Sequence, residues 1–207
     1  MPLFKKFISA ASVVVYLVLP QKVNAGGSAE LTGGNSNVTL DLKMDKELAS
    51  KFQFFTRQLP SVSYDNEVSY FGLISLGYNV WDGLNILAQA QATPGVGAAP
   101  RLGFEYFKQA GDFGLYGEAV STVEESPQIE LLANIGYRPP LTKDLSLVAD
   151  VEAITLLRLE KRTHDYSTQR LRLGLGTGQF EFGPALNLEE VGQNLYYNVG
   201  GSVKINF

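Results

Sequence analysis

The sequence has no cysteine, a single histidine and only two methionines among its 207 residues. The absence of cysteine excludes disulfides, thiolate nucleophiles and thiolate metal ligands. The spacing of His, Asp and Glu matches no known metal-binding pattern, and no glycine-rich loop suits a phosphate. After the N-terminal segment, no apolar run reaches the ~20 residues that a transmembrane helix needs. We therefore expect no metal, no cofactor and no helical membrane span in the mature chain.

The N-terminal segment has the pattern of a secretory signal peptide. Lys5 and Lys6 precede the apolar run 7–19, and Ala25 ends a small-residue cleavage pattern. We predict that residues 1–25 are removed and that Gly26 begins the mature chain. Cleavage removes three lysines and leaves 14 basic against 21 acidic residues, a net charge of −7. Such a chain repels nucleic acid rather than binding it.

Residues 26–207 alternate apolar and polar side chains with the period of two that marks β-strands. A barrel in lipid needs an apolar outer face, and this alternation supplies one. The last strand is the clearest case, because its two faces separate completely. One face carries Leu195, Tyr197, Val199, Gly201, Val203, Ile205 and Phe207, and the other carries Tyr196, Asn198, Gly200, Ser202, Lys204 and Asn206.

An alternating strand that ends the chain on Phe207 resembles the C-terminal signal of bacterial outer-membrane β-barrels. The resemblance implies a barrel in the bacterial outer membrane, surrounded by outer-membrane lipids and lipopolysaccharide. It also implies that the barrel-assembly machinery recognises Val203, Ile205 and Phe207. The alternative is a secreted β-sandwich whose edge strand ends the chain. The sequence identifies no protein partner and no oligomeric state.

Eleven strands are visible in the alternation, and a short one near 27–33 completes an even number. The predicted fold is therefore all-β: one domain over 26–207, a transmembrane antiparallel up-and-down β-barrel of twelve strands. Ten or eight strands are the alternatives. Short periplasmic turns and longer external loops are typical of such barrels. That rule assigns 93–100, 124–127, 161–169 and 188–193 to the outside, and it brings Tyr78, Trp81, Tyr106, Phe113, Tyr137, Phe180 and Phe207 near the periplasmic strand ends.

The polar faces of the strands carry charges of both signs, which predicts a charged lumen. Pairing the strands about their turns predicts a row in which Glu105 lies near Glu118, Glu118 near Glu130, and Glu130 near Glu152. The same pairing predicts that Arg158 and Arg172 face each other nearer the outside. The residues predicted to line the lumen are Glu105, Glu118, Glu130, Asp150, Glu152, Glu181, Arg138, Arg158, Arg172 and Lys204.

Three functions compete on these observations. A narrow passive pore for ions or small solutes, preferring cations if the carboxylates dominate, is favoured. A structural or partner-binding barrel with a filled lumen is the alternative. Small barrels such as the outer-membrane phospholipase and lipid A acyltransferase families suggest a lipid hydrolase or acyltransferase, because His164 lies near Asp165 and Ser167. We interpret these three residues as a solvated loop and assign no catalytic residue, since neighbouring positions alone do not align a nucleophile and a base.

Overall fold

The computed structural model describes residues 26–93, 97–158 and 163–207. The predicted signal peptide, residues 1–25, lies outside the described residues. Within the described part no helix is long and apolar enough to cross a membrane. The strands are β1 (Gly26–Gly34), β2 (Asn37–Ala49), β3 (Phe52–Ser63), β4 (Val68–Trp81), β5 (Leu84–Thr93), β6 (Gly97–Ala110), β7 (Phe113–Thr122), β8 (Gln128–Tyr137), β9 (Ser146–Arg158), β10 (Thr163–Thr177), β11 (Phe180–Val191) and β12 (Asn194–Asn206).

Each strand pairs antiparallel with the strands before and after it in sequence, and β1 pairs with β12 to close the barrel. At this closure Glu30 lies opposite Lys204, and Leu31 lies opposite Val203. The side-chain alternation of β1 therefore continues that of β12. The prediction of a twelve-stranded up-and-down barrel is confirmed, and the alternatives of ten or eight strands are wrong.

The connections are shorter than the sequence suggested. β6 already begins at Gly97, β10 begins at Thr163, and β11 continues to Val191 before the two-residue turn to β12. The loops predicted at 93–100, 161–169 and 188–193 are therefore mostly strand, because their polar residues continue the backbone ladder beyond the apolar part of the barrel. At the end of the barrel where Gly26 and Phe207 lie, the expectation of short turns fails at one of the five connections. That end holds the eight-residue connection 138–145, alongside four turns of two residues each.

The outer surface of the barrel is apolar. Large side chains that alternate with the inward-facing residues are exposed on most strands, and Leu173 and Val203 are more than half exposed. A continuous apolar belt of this kind is unfavourable in water and suits a lipid bilayer. Other exposed members of this belt are Ile74, Leu76, Ile86, Leu102, Phe104, Leu115, Leu131, Ile135, Val151, Leu171, Phe182 and Val199.

Aromatic rings gather at the end of the barrel that carries the termini. Phe113 stacks on Tyr137 with ring centroids 4.3 Å apart, and Phe52 contacts Tyr78 at 5.1 Å. Trp81, beside the β4–β5 turn, is 74% exposed. Amphipathic rings at one height are typical of a membrane interface, so these side chains mark the edge of the apolar belt.

Glycines allow β10 and β11 to approach each other closely. A Cβ atom built on Gly183 would lie 2.1 Å from the carbonyl oxygen of Leu173, and one on Gly174 would lie 2.3 Å from that of Phe182. No side chain fits at such distances. The curvature of this side of the barrel therefore depends on glycine at these two positions.

Candidate functional site in the barrel lumen

The inner face of the barrel is identified by side chains that join strands which are not neighbours. Arg57 on β3 contacts Glu152 on β9, and these strands are six positions apart in a ring of twelve. Such a contact can only cross the lumen. The strand register then assigns every second residue of the neighbouring strands to the same inner face.

Five charged side chains form the cross-lumen contact, and we call them the lumenal clamp: Asp41, Lys43, Arg57, Glu152 and Arg170. Arg57 donates to Asp41 at 2.5 and 3.0 Å and to Glu152 at 2.9 and 3.2 Å. Arg170 reaches the same two carboxylates at 3.1 and 3.3 Å, and Lys43 lies 3.6 Å from Glu152. Three cations thus share two carboxylates in the centre of the barrel.

The two side chains that meet across the lumen are buried. Arg57 is 5% exposed and Glu152 is 7% exposed. A buried ion is strongly unfavourable unless it is paired and its remaining hydrogen-bonding groups are satisfied. The two bidentate contacts of Arg57 meet this requirement, and they fix the distance between opposite walls.

Two smaller ionic groups lie to one side of the clamp. Arg172 donates to Glu30 at 2.6 Å, which links β10 to β1. Arg138, directly after β8, donates to Asp150 at 2.6 Å and to Glu181 on β11 at 3.2 Å. Lys204 completes this second group, 3.3 Å from Glu181. On β9 to β12 these two groups pair Asp150, Arg172, Glu181 and Lys204.

A different pattern holds on β6 to β8, where carboxylates gather on one side; we call Glu105, Glu118 and Glu130 the acidic wall. Glu105 lies directly opposite Glu118, and the hydroxyl of Tyr116 contacts both, at 2.8 and 2.7 Å. Glu130 forms a salt bridge of 3.0 Å with Arg101. The wall therefore holds three carboxylates, and Glu130 is the one paired with a guanidinium.

Two of the predicted neighbour relationships are wrong. Glu130 lies opposite Leu156, whereas Glu152 lies opposite Asn134, four residues along β8, so Glu152 is not part of the carboxylate row. Arg158 lies opposite Thr163 and contacts Asp165 at 2.7 Å. Arg172 instead lies opposite Asp150. The first error arises at the β8–β9 connection, 138–145, which sets Glu130 opposite Leu156. The second arises because the β9–β10 hairpin turns earlier than predicted; it also contains a bulge between His164 and Tyr166 that shifts the register.

The lumen also contains apolar side chains that the alternation rule did not predict. Leu87 is 1% exposed and Val120 is 2% exposed, and Leu73 and Val148 are also buried. The register places Leu73 opposite Arg57 and Val120 opposite Glu130, both on the inner face. Apolar side chains therefore share the inner face with the charged ones.

Several lumenal charges were missed at the sequence level. Asp41 and Lys43 alternate with Leu40, Leu42 and Met44, so the signal for an inward face was present. Arg57 had no such signal, because Phe54 and Phe55 interrupt the alternation of β3. The others are Glu30, Arg101 and Arg170.

The three residues weighed for catalysis, His164, Asp165 and Ser167, lie on β10 close to the β9–β10 turn. The Nε2 atom of His164 is 2.6 Å from Ser167 Oγ, and Ser167 Oγ is 3.0 Å from Thr155 Oγ1. Asp165, the carboxylate nearest in sequence, accepts two hydrogen bonds from Arg158, at 2.9 and 2.7 Å. A nucleophile and a base are thus in contact, and Asp165, the neighbouring carboxylate, is paired with the Arg158 guanidinium.

In the part of the chain that the structure describes, no three His, Asp or Glu side chains converge so as to hold a metal ion by themselves. The charged lumen is the candidate functional feature.

A closed barrel with an apolar outside and a charged inside belongs to the class of outer-membrane-type β-barrels. The sequence matches no protein-family model and no curated protein. Among solved structures, the chain is similar to a KdgM porin in complex with disordered oligogalacturonate, with 14% identity, 89% of this chain and 99% of that chain covered, and a TM-score of 0.50. This likeness shows a shared fold.

Two further structures have lower scores. The NanC porin has 8% identity, covers 88% of this chain and 98% of its own, and has a TM-score of 0.49. LpxR from Salmonella typhimurium has 10% identity, 88% and 100% coverage, and a TM-score of 0.46. Because a fold hosts unrelated functions, what this chain does must be argued from its own lumen.

Proposed function

We propose that the protein is a narrow passive pore of the bacterial outer membrane for ions or small hydrophilic solutes, constricted at mid-height by the lumenal clamp. The observation that carries this proposal is the contact between Arg57 and Glu152 across the lumen. It brings charges of both signs to the narrowest level of the barrel. Pores use charged rings of this kind to set both diameter and selectivity.

The composition of the lumen supports a pore over a purely structural interior. Buried ion pairs stabilise a fold no better than well-packed apolar residues of similar volume, so stability alone does not explain so many charges. The charges are also distributed unevenly. The clamp has three cations to two carboxylates, whereas the acidic wall has three carboxylates beside Arg101. A solute on this route would meet walls of opposite sign.

A second candidate is a structural or partner-binding barrel with a filled lumen. The burial of Leu87, Val120 and Arg57 favours it, because these side chains leave little free space at mid-height. Twelve strands are intermediate between barrels whose interiors side chains fill and barrels that enclose aqueous channels. The two candidates therefore differ in whether ions can pass the lumenal clamp.

Export and assembly are part of the proposal. Residues 1–25 would direct secretion, and Val203, Ile205 and Phe207 would be recognised by the barrel-assembly machinery. The apolar belt would then contact outer-membrane lipids, with lipopolysaccharide on the external side. We propose no enzymatic activity.

Conductance of the purified, folded protein in a planar lipid bilayer tests the proposed function. A pore with this constriction should show small, discrete current steps and a reversal potential displaced in favour of cations by the acidic wall. Neutralising Glu118 and Glu130 together with glutamine should reduce that displacement. If the folded protein produces no current at any concentration, the barrel with a filled lumen is the candidate that remains.

A further inference from the structure

The arginine that directly follows β8 turns back into the lumen. Gly136, near the end of β8, faces inward, because it lies opposite the inward-facing Asp150. A Cβ atom built on Gly136 would lie 2.7 Å from Arg138 Nη1 and 2.8 Å from Asp150 Oδ1. The guanidinium of Arg138 therefore occupies the space that the glycine leaves on the inner face of β8.

Carboxylates from two other strands hold Arg138 in this position. Arg138 donates to Asp150 on β9 at 2.6 Å and to Glu181 on β11 at 3.2 Å. Lys204 on β12 lies 3.3 Å from Glu181. We call Arg138, Asp150, Glu181 and Lys204 the mouth group, because they lie near the end of the barrel that carries Phe207.

Arg138 is the most exposed member of the mouth group. Its side chain is 38% exposed and that of Lys204 is 22% exposed, whereas Asp150 is 19% and Glu181 16% exposed. The side-chain amide of Asn206 also donates to Glu181, at 3.0 Å. The cations thus cover the carboxylates with which they pair, and the guanidinium is the charge that faces water most.

The arrangement of the mouth group matters more than its net charge. Its two cations and two carboxylates sum to zero. In water the potential next to an exposed charge is dominated by that charge, because salt and the high dielectric constant weaken the contribution of charges further away. Removing Arg138 would leave Lys204 with two carboxylates, which reverses the sign of the charge that a solute meets.

We propose that Arg138 is a selectivity-determining residue at this mouth of the lumen, where its guanidinium attracts small anions and repels cations. Arg138 would act on the route of the proposed pore, so this role rests on the proposed function. Charged side chains that line a pore set the sign of the ions that pass. The mouth group would therefore offset part of the cation preference that the acidic wall imposes.

A single introduced thiol tests this role without requiring conduction, because the chain has no cysteine. Ser202 on β12 lines a cavity together with Asp150, Glu181 and Lys204, and it lies further than Lys204 from the end that carries Phe207. Folded Ser202→Cys protein in detergent micelles is treated with a cationic and an anionic methanethiosulfonate of similar size. The ratio of the two rates cancels any change in the reactivity of the thiol itself.

Adding Arg138→Gln to Ser202→Cys should lower the ratio of the anionic to the cationic rate by about three- to tenfold. Arg138→Lys keeps the charge and should keep most of the ratio, which separates electrostatics from the shape of the guanidinium. Should Arg138→Gln fail to fold, the charge-balanced variant Arg138→Gln/Asp150→Asn replaces it, with a smaller fall expected. An unchanged ratio in the folded variant would overturn the proposal.

Lys108→Gln is the matched control. It removes an exposed cation near the same end of the barrel, where Lys108 pairs with Asp82 at 2.7 Å. Lys108 lies on the outer face of β6, because it alternates with the inward-facing Glu105. The ratio should therefore stay unchanged. An equal fall in Lys108→Gln and Arg138→Gln would show a general effect of net charge and would overturn the role of Arg138.

Reversal potentials in planar bilayers separate this role from the proposed function. In a conducting protein, Arg138→Gln should displace the reversal potential further in favour of cations. A fall in the reagent ratio in a protein that never conducts would retain the cationic mouth and reject the pore. Conductance with an unchanged ratio and an unchanged reversal potential would retain the pore and reject the role of Arg138.

Discussion

Arg57 and Glu152 come from opposite sides of the barrel and meet in its centre, with Arg57 Nη2 2.9 Å from Glu152 Oε1. Ninety-five positions of sequence separate the two residues. Asp41 and Arg170 share the contact, so it ties four strands together. The clamp therefore links opposite walls of the lumen.

Removing Glu152 from the clamp should destabilise the barrel. Glu152→Gln leaves three cations, among them the buried Arg57, with Asp41 as their remaining clamp carboxylate, and an uncompensated buried charge costs about 3–5 kcal/mol. Urea-induced unfolding in lipid vesicles measures the loss. Glu190→Gln, an exposed control, should change the free energy of unfolding by less than about 0.5 kcal/mol. Equal values for the two variants would show that the clamp contributes no stability.

Leu173 should lie deep in the apolar belt, whereas Leu195 is close to the end of its strand. Leu173→Arg should therefore destabilise the barrel in bilayers by about 2–4 kcal/mol, and Leu195→Arg by about 0–1 kcal/mol. Unfolding in vesicles of matched lipid composition gives both values. A larger loss of unfolding free energy for Leu195→Arg than for Leu173→Arg would contradict this position of the apolar belt.

Gly183 has no space for a side chain, because an added Cβ would lie 2.1 Å from the Leu173 carbonyl oxygen. Gly183→Ala should cost about 1–3 kcal/mol as neighbouring strands are forced apart. Gly33→Ala provides the matched control, since no atom lies within 4 Å of its added Cβ. The fraction that migrates as folded barrel on a gel without heating reports the difference, and full folding of both variants would refute the close approach.

Ser167 should be unreactive despite its contact with His164. The Asp165 carboxylate is already neutralised by Arg158, and neighbouring positions alone do not align a nucleophile with a base. A fluorophosphonate probe applied to the folded protein should leave Ser167 unlabelled, with a known serine hydrolase as the positive control. Stoichiometric labelling that disappears in Ser167→Ala would instead support the lipid-hydrolase alternative.

The fold was largely predictable from the sequence, because period-two alternation defines both the strands and their outer faces. Strand β12 is an example: its apolar face, including Val199 and Val203, is exposed on the barrel. Loop limits were less predictable. Polar residues such as Ser167 and Glu189 continue the ladder outside the apolar belt, and composition alone does not distinguish them from a loop.

The site was only partly predictable. Hairpin pairing relates adjacent strands, which is why Glu105 opposite Glu118 could be anticipated. Contacts across the lumen depend on which strands face each other once the ring closes, and no local pattern carries that information. Arg57 and Glu152 are joined in this way. The β9–β10 hairpin turns several residues earlier than the predicted loop 161–169 implied, and this separates Arg158 from Arg172.

The single-channel conductance of Arg57→Ser against wild type tests the central claim most directly. This change removes the side chain that crosses the lumen and leaves Lys43 and Arg170 to balance Asp41 and Glu152, so the remaining clamp is neutral. We predict small current steps in the wild type and a conductance several-fold larger in Arg57→Ser. Equal conductances, or silence of both proteins after verified folding, would contradict a pore constricted by the clamp.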